Sequence, residues 1–285
     1  FNTDEDSLFI TYCFNATCTN SFARVVEGGN VSNLYFRYLE NIDIKIPAQI
    51  IEQQKIANFL SSIDNRIQSL EKKKTLLEHY KKGFIQKIFK QELKFKDENG
   101  DFFPEWNFKK GNLLFETISN KNHNSDLPIL AISQEFGAIP RELINYNISV
   151  TQKSVDSYKV VEKGDFIISL RSFQGGIEYS EYTGICSPAY IILRSKVEIS
   201  DQFYKSYFKS NYYIKQLCSK LEGIRDGKMI SYKYFSEIKL PNPSLKEQLK
   251  ITKFLSAIDK NITIINQKIA HTKTYKKGLL QQMFV

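Results

Sequence analysis

Three stretches of this chain carry side chains able to read a nucleic acid: Ile132-Ser-Gln-Glu-Phe-Gly137, Arg171-Ser-Phe-Gln-Gly-Gly176 and Glu222-Gly-Ile-Arg-Asp-Gly-Lys228. Arg can grip guanine through two parallel hydrogen bonds, Gln can do the same to adenine, and Lys or a Ser hydroxyl suits phosphate oxygens. This chemistry nominates Gln134, Arg171, Ser172, Gln174, Arg225 and Lys228, with Gly175 allowing close approach of the backbone. On spacing alone the plainer reading stays open: ordinary loop charge and, for the glycines, a tight turn.

Catalytic chemistry has little to stand on. His79 and His271 fall on long helical stretches and His123 in a polar loop, so no acid–base pair is suggested. The chain has no P-loop, no HExxH and no GxGxxG, so no cofactor site is expected. Asn242-Pro243-Ser244 lacks the second Pro and the aromatic of an amino-methyltransferase motif and reads as a helix start. Cys13, Cys18, Cys186 and Cys218 are scattered; Cys13-x4-Cys18 has no second close pair, so no metal site is expected and reduced thiols of a cytoplasmic protein are the default. The formal charge of +9 favours an acidic partner, nucleic acid before membrane, because no apolar run approaches the roughly 20 residues of a spanning helix. Phe1 opens the chain without a signal-peptide pattern, which reads as a fragment rather than a secreted precursor.

The elements that must position these loops come from an internal repeat. Glu52-Gln-Gln-Lys-Ile-Ala-Asn-Phe-Leu-Ser-Ser-Ile-Asp64 returns 195 positions later as Glu247-Gln-Leu-Lys-Ile-Thr-Lys-Phe-Leu-Ser-Ala-Ile-Asp259. Each copy closes on Tyr-Lys-Lys-Gly, at Tyr80, Lys81, Lys82 and at Tyr275, Lys276, Lys277. Apolar residues follow a 4-3 spacing: Ile56, Leu60, Ile63, Ile67, Leu70 and Leu77, then Ile251, Leu255, Ile258, Ile262, Ile265 and Ile269. That is a coiled-coil seam. Ser244-x-x-Glu247 forms a capping box, so the second helix should start near Leu245, and the first near Gln49 or Ile50. About 40 residues each gives helices of roughly 60 Å, too long for two core helices of one globular domain.

Around the helices the chain divides into residues 1–48, a first helix over 49–90, a connector over 91–105, a globular part over 106–243 and a second helix over 244–285. Residues 1–48 read as short strands, Leu34–Leu39 and Ile42–Pro47, with a turn at Glu27-Gly-Gly-Asn30. The aromatic segment from Ile230 and the strand ending at Pro241 repeat that pattern, so the duplication reaches into the globular part, and about 90 residues of the first unit lack a counterpart. Asn99-Gly100 predicts a hairpin in the connector. A connector of about 15 residues cannot easily return the chain to the start of the first helix, so the helices should pair antiparallel. Residues 106–243 form an α+β domain with strands at Asp165–Leu170 and Ala189–Leu193 and one helix over Asp201–Leu221.

The duplicated Glu-Gln-x-Lys-Ile-x-x-Phe-Leu-Ser-x-Ile-Asp helix start with its Tyr-Lys-Lys-Gly end resembles the specificity subunit of type I restriction-modification systems. Leu93-Lys-Phe-Lys-Asp-Glu-Asn-Gly-Asp-Phe-Phe-Pro-Glu-Trp106 is similar to that family's central conserved region, and Gly164-Asp-Phe-Ile-Ile-Ser-Leu-Arg171 to a strand and loop of its recognition domains. The resemblance covers essentially the whole chain, except that the first target-recognition domain keeps only its C-terminal end. It implies an α+β fold in which recognition domains join two long antiparallel helices, an intramolecular coiled coil with a pseudo-two-fold arrangement. It also implies a non-catalytic subunit reading half of a bipartite double-stranded DNA site, with the helices as a ruler. Two methyltransferase subunits carrying S-adenosylmethionine and ATP-driven restriction subunits would be its partners. The repeated Tyr-Lys-Lys ends are the expected methyltransferase contacts. A second reading is a coiled-coil assembly protein whose basic loops merely keep it in solution.

Overall fold

The computed structural model describes residues 4–18, 44–123, 126–144, 152–219 and 230–284. The 4-3 apolar spacing builds two long helices, Ile50–Phe89 and Leu245–Met283. Ser244 starts the second as expected, its Oγ accepting from the Glu247 N–H at 3.3 Å. Glu247 does not close the box: its carboxylate takes the Trp106 indole N–H at 2.9 Å instead. The chain forms two compact units, residues 1–78 with 259–285, and residues 79–258, and both long helices contribute to both.

In the first unit Leu60, Ile63, Ile67 and Leu70 are buried along one helix and Ile265 and Ile269 along the other, with Leu70 in one cluster with the latter two. Polar ties set the direction. Lys276 Nζ donates to both Asp64 oxygens at 2.6 and 2.8 Å, and Lys273 Nζ to Glu71 Oε1 at 2.7 Å. Numbers rise along one helix as they fall along the other, so the pair is antiparallel. Residues 7–18, expected within a strand-rich segment, are helical: Ser7–Cys13 runs into a π-turn over Phe14–Cys18. Asp6 overrides the strand-like composition by capping the helix, its Oδ1 accepting from the Phe9 N–H at 2.8 Å. Phe9 and Cys13 are then buried with Ala57 and packed by Ile56 and Phe284. Residues 44–47 form no strand; the expected strand Leu34–Leu39 and the turn Glu27–Asn30 lie outside the described residues.

The second unit carries strands β1 (Asn107–Lys110), β2 (Phe115–Ile118), β3 (Leu130–Ser133), β4 (Gly137–Pro140), β5 (Lys159–Val161), β6 (Phe166–Ile168), β7 (Glu178–Tyr179), β8 (Gly184–Cys186), β9 (Ile191–Ser195) and β10 (Lys239–Asn242). The central sheet has the order β2-β9-β6-β7, and β1–β10, β3–β4 and β5–β8 are separate antiparallel pairs. Residues 166–168 are fully buried because the sheet is covered by aromatics: the Phe115 ring lies 5.3 to 6.0 Å from Phe166, Tyr204, Phe208 and Phe235. Gly164 turns left-handed before β6, at φ +103°. Asp165 then anchors the turn, taking the Glu162 N–H at 2.7 Å and a two-point grip from Arg194 at 2.8 and 2.9 Å.

Two expectations change here. The single helix over Asp201–Leu221 is two helices, Asp201–Phe208 and Asn211–Ser219. Buried Ser210 breaks it by donating to the Tyr207 carbonyl at 2.6 Å and accepting from the Tyr213 N–H at 3.1 Å, which starts the second helix. The aromatic segment after Ile230 is a helix, Tyr232–Glu237, capped by Ser231, not a strand. Aromatic strand preference reflects packing more than backbone conformation, so a local cap outweighs it. In the connector Asp97 Oδ1 accepts the N–H groups of Asn99 and Asp101, Gly100 sits at φ +92°, and Lys96 bridges Phe102, so the chain reverses at Asn99-Gly100.

Candidate nucleic-acid interface

Two of the three nominated stretches meet on one edge of the second unit. The β3–β4 turn is built by Ser133, whose hydroxyl accepts from the N–H groups of Glu135 and Phe136 at 3.2 and 3.3 Å. It exposes Gln134. The stretch after β6 is turned by a serine pair: the Ser169 N–H donates to Ser172 Oγ at 2.8 Å and the Arg171 N–H to Ser169 Oγ at 3.3 Å. A short helical turn, Ser172–Gly175, follows. Gln134 Nε2 then donates to the Arg171 carbonyl at 3.2 Å, joining residues 37 positions apart in the chain.

Glycine makes this edge possible. Gly137 and Gly176 have φ +74° and +83°. A Cβ at Gly137 would stand 2.7 Å from the Tyr179 carbonyl oxygen, and one at Gly176 2.0 Å from that of Phe208. Both loops therefore sit directly on backbone, and no larger residue fits there.

Beneath them lies an ion pair. Lys209 Nζ donates to Glu178 Oε1 at 2.6 Å and to the Gln134 carbonyl at 3.2 Å. Glu178 is buried, and burial pushes its carboxyl above the ordinary range while the Lys209 charge and hydrogen bond oppose the shift. The pair thus pins the Gln134 loop from below.

Arg171, Gln174 and Gln134 are exposed, with the Gln134 Nε2 engaged on the Arg171 carbonyl. Ser172 is only 1% exposed and its hydroxyl is taken up in the turn. Gly175 closes that turn, while Arg225 and Lys228 lie outside the described residues. Sequence reasoning passed over three residues. Phe136 and Leu170 are more than half exposed beside Gln134 and Arg171; an aromatic at a hairpin tip was the available signal for the first. Lys209 gave no signal, since its partners are distant in the chain.

The repeated helix ends share one pattern of exposure. Tyr80 and Tyr275 are exposed at 62% and 57%, and Lys82 and Lys277 are exposed. Lys81 and Lys276 are half-buried, and Lys276 holds Asp64 and lies 5.0 Å over the Tyr12 ring. His123 sits within 3.1 Å of the Tyr158 carbonyl, and His79 and His271 are exposed on the long helices. No helix among the described residues is long and apolar enough to cross a membrane.

The described residues combine α+β elements carrying paired loops with two long helices whose sequences repeat each other, and comparison with known proteins places the chain in a family of DNA specificity proteins. The family described as the type I restriction modification DNA specificity domain matches residues 2–79 and 93–273, and the chain belongs to that family. It is 29% identical over 273 residues to a putative type I restriction enzyme MjaX specificity subunit of Methanocaldococcus jannaschii, covering 90% of this chain and 61% of that protein. The MjaVIII specificity subunit of the same organism is 26% identical, with 96% of this chain and 68% of that protein covered. The chain thus spans about three-fifths to two-thirds of these relatives. In fold it resembles the type I restriction-modification S subunit of M. genitalium, with a TM-score of 0.57 at 18% identity over 98% of this chain and 73% of that one. The HsdS subunit of Thermoanaerobacter tengcongensis gives 0.51 at 18% identity over 96% and 68%.

Proposed function

We propose that the chain is a non-catalytic DNA-reading subunit of a type I restriction-modification complex, in which the edge carrying Gln134, Arg171 and Gln174 meets one half of a bipartite site. The observation that carries this reading is the Gln134–Arg171 hydrogen bond, which joins two nominated loops into one surface on a member of a DNA specificity family. Gln134, Arg171 and Gln174 supply base or phosphate contacts. Ser172 and Gly175 shape the turn that presents them, and Arg225 and Lys228, outside the described residues, are added as contacts by residue type alone. Phe136 and Leu170 offer apolar contact suited to thymine methyl groups. Glu178 and Lys209 position the Gln134 loop.

Two methyltransferase subunits dock on the repeated helix ends, through exposed Tyr80 and Lys82 in one copy and Tyr275 and Lys277 in the other. Lys81 and Lys276, half-buried, support those ends. Restriction and translocation subunits complete the assembly, and the catalytic centres lie in the partners.

The test is a duplex-binding titration with the methyltransferase partner present, over a range of salt. Sequence-selective binding that weakens steeply with salt is expected. Arg171→Ala should lower discrimination at one base pair by about 1 to 3 kcal/mol, the worth of a two-point contact. A coiled-coil scaffold would show neither selectivity nor that loss. Charge reversal at Lys82 and Lys277 should weaken partner affinity without disturbing the Lys276–Asp64 tie; unchanged affinity would remove the helix ends from the docking surface.

A further inference from the structure

The β3–β4 hairpin ends in a three-residue loop, Gln134-Glu135-Phe136, and all of it is exposed. Ser133 and Gly137 are the last facing pair of the ladder, and Gly137 at φ +74° is the left-handed residue that closes a short loop of this kind. The backbone of the loop is tied down. The Glu135 N–H donates to Ser133 Oγ at 3.2 Å, the Gln134 carbonyl accepts from Lys209 Nζ at 3.2 Å, and Gly137 lies against the Tyr179 carbonyl. Glu135 is therefore held in place by its main chain, while its carboxylate has no hydrogen-bond or ion-pair partner among the described residues.

A bare carboxylate is out of place on an edge that meets DNA. Phosphates repel it, and so do most base edges in the major groove: guanine presents N7 and O6 and thymine O4, all acceptors, while adenine sets its N7 acceptor beside the N6 amino group. Cytosine offers an amino donor, N4, with no acceptor next to it on the same base. The acceptors of a guanine suit Arg171 instead, on the loop joined to this one through Gln134. A rigidly presented Glu thus favours one base and opposes the other three.

We infer that Glu135 is a specificity-determining residue, accepting the N4 amino group of a cytosine in the half-site and turning away guanine, thymine and adenine at that position. The inference rests on the edge of Gln134, Arg171 and Gln174 meeting DNA. To that reading it adds a residue that discriminates as much by repulsion as by attraction.

The test uses the whole chain with its methyltransferase partner. A duplex library randomised over the half-site gives the preferred bases, and titration against duplexes that differ at a single base pair gives the affinities. Glu135→Ala should erase a cytosine preference at one position, lowering the ratio of cytosine to thymine affinity there at least about fivefold, the lower end of what a specific base contact is worth. The same variant should bind the thymine and guanine duplexes more tightly than the wild type does, because the repulsion is gone. Glu135→Gln should move the preference at that position from cytosine toward adenine, since a carboxamide pairs with N6 and N7 together. The loop is tied through its main chain, so both variants should keep the wild-type melting temperature. Unchanged base preferences in both variants, or tighter binding of every duplex by the same factor, would reduce Glu135 to a source of general repulsion and overturn the inference. Arg171→Ala, measured alongside, separates the two levels: selectivity lost there but kept in both Glu135 variants overturns this inference alone, whereas selectivity kept in all of them overturns the reading edge as well.

Discussion

A glutamine at the start of each long helix does the same task in both copies. The Asp6 N–H donates to Gln53 Oε1 at 3.0 Å and Gln53 Nε2 donates to the Pro47 carbonyl at 2.8 Å. In the other copy the Ser200 N–H donates to Gln248 Oε1 at 2.9 Å and Gln248 Nε2 to the Pro243 carbonyl at 3.0 Å. Asp6 and Ser200 both precede a helix whose third residue is a buried Phe, Phe9 or Phe203. The end of the opposite long helix then packs on that ring, Phe284 on Phe9 and Phe89 on Phe203. The helix Ser7–Cys13 is therefore the structural counterpart of Asp201–Phe208. The copies differ in what surrounds this shared joint among the described residues: a sheet and connector in the second unit, and the cluster of Phe9, Cys13 and Ala57 in the first. Repetition here has an internal cause. Buried amides and ring contacts demand these residues in each copy, so repetition by itself does not mark a partner site; Tyr80 and Tyr275 differ from them in being exposed.

The seam offers the largest way to break this comparison. Ile63 and Ile258 are repeat counterparts, but Ile63 is 8% exposed and Ile258 half-buried. Ile63→Asp should cost about 3 to 5 kcal/mol, as an unpaired buried charge does, and Ile258→Asp distinctly less. Urea denaturation midpoints of the two variants check this; equal losses would mean that the copies share one seam despite their burial.

The glutamines come next. Gln248→Met would leave the Ser200 N–H and the Pro243 carbonyl without their partner in a buried joint, at a cost of about 1 to 3 kcal/mol. Gln53→Met should cost less, because its partners Asp6 and Pro47 are only half-buried although Gln53 itself is buried. Thermal melting of both variants sharpens how far the joint is supported by its surroundings.

The smallest effect is one of sign with pH. At Asp64 burial raises the carboxyl, but the bonds from Lys276 and Tyr12 outweigh it and hold the group below its ordinary value of 3.8. Stability from this tie is present above that value and is lost as pH falls through the lowered one. Its side chain is 40% exposed, so the contribution stays below about 1 kcal/mol. At Glu178 burial raises the carboxyl above its ordinary 4.5 against the pull of Lys209, so its contribution falls as pH rises through the raised value. Denaturation midpoints between pH 3 and 6 should therefore lose part of their acid-side slope in Asp64→Asn and part of their opposite slope in Glu178→Gln. Matching slopes in both variants would show that the two units do not differ in this respect.

How much was legible without the fold follows from range. The 4-3 spacing, Ser244 and the Asn99-Gly100 turn act within a few residues, and the long helices begin where those signals put them. The strand expected from Asp165 likewise forms, over Phe166–Ile168. The chain alone did not show that Ser231 would convert an aromatic run into a helix, that Ser210 would split Asp201–Leu221, or that Ser172 would turn inward. In each case a hydroxyl chooses between solvent and a backbone group, and packing around it decides.

The amino-acid sequence by itself determined the duplication, the two helices and their antiparallel pairing, and the residue types able to read DNA, because periodicity, caps and connector length are properties of neighbouring residues. Only the tertiary structure decided that Gln134 meets Arg171, that Lys209 and Glu178 hold them from beneath, and that Gln53 and Gln248 serve the same joint. Those groups lie 31 to 75 positions apart; buried Gln53, Gln248 and Glu178 need partners, and the exposed Gln134 and Arg171 meet only because their loops are seated on packed backbone, which is settled only when the chain has folded.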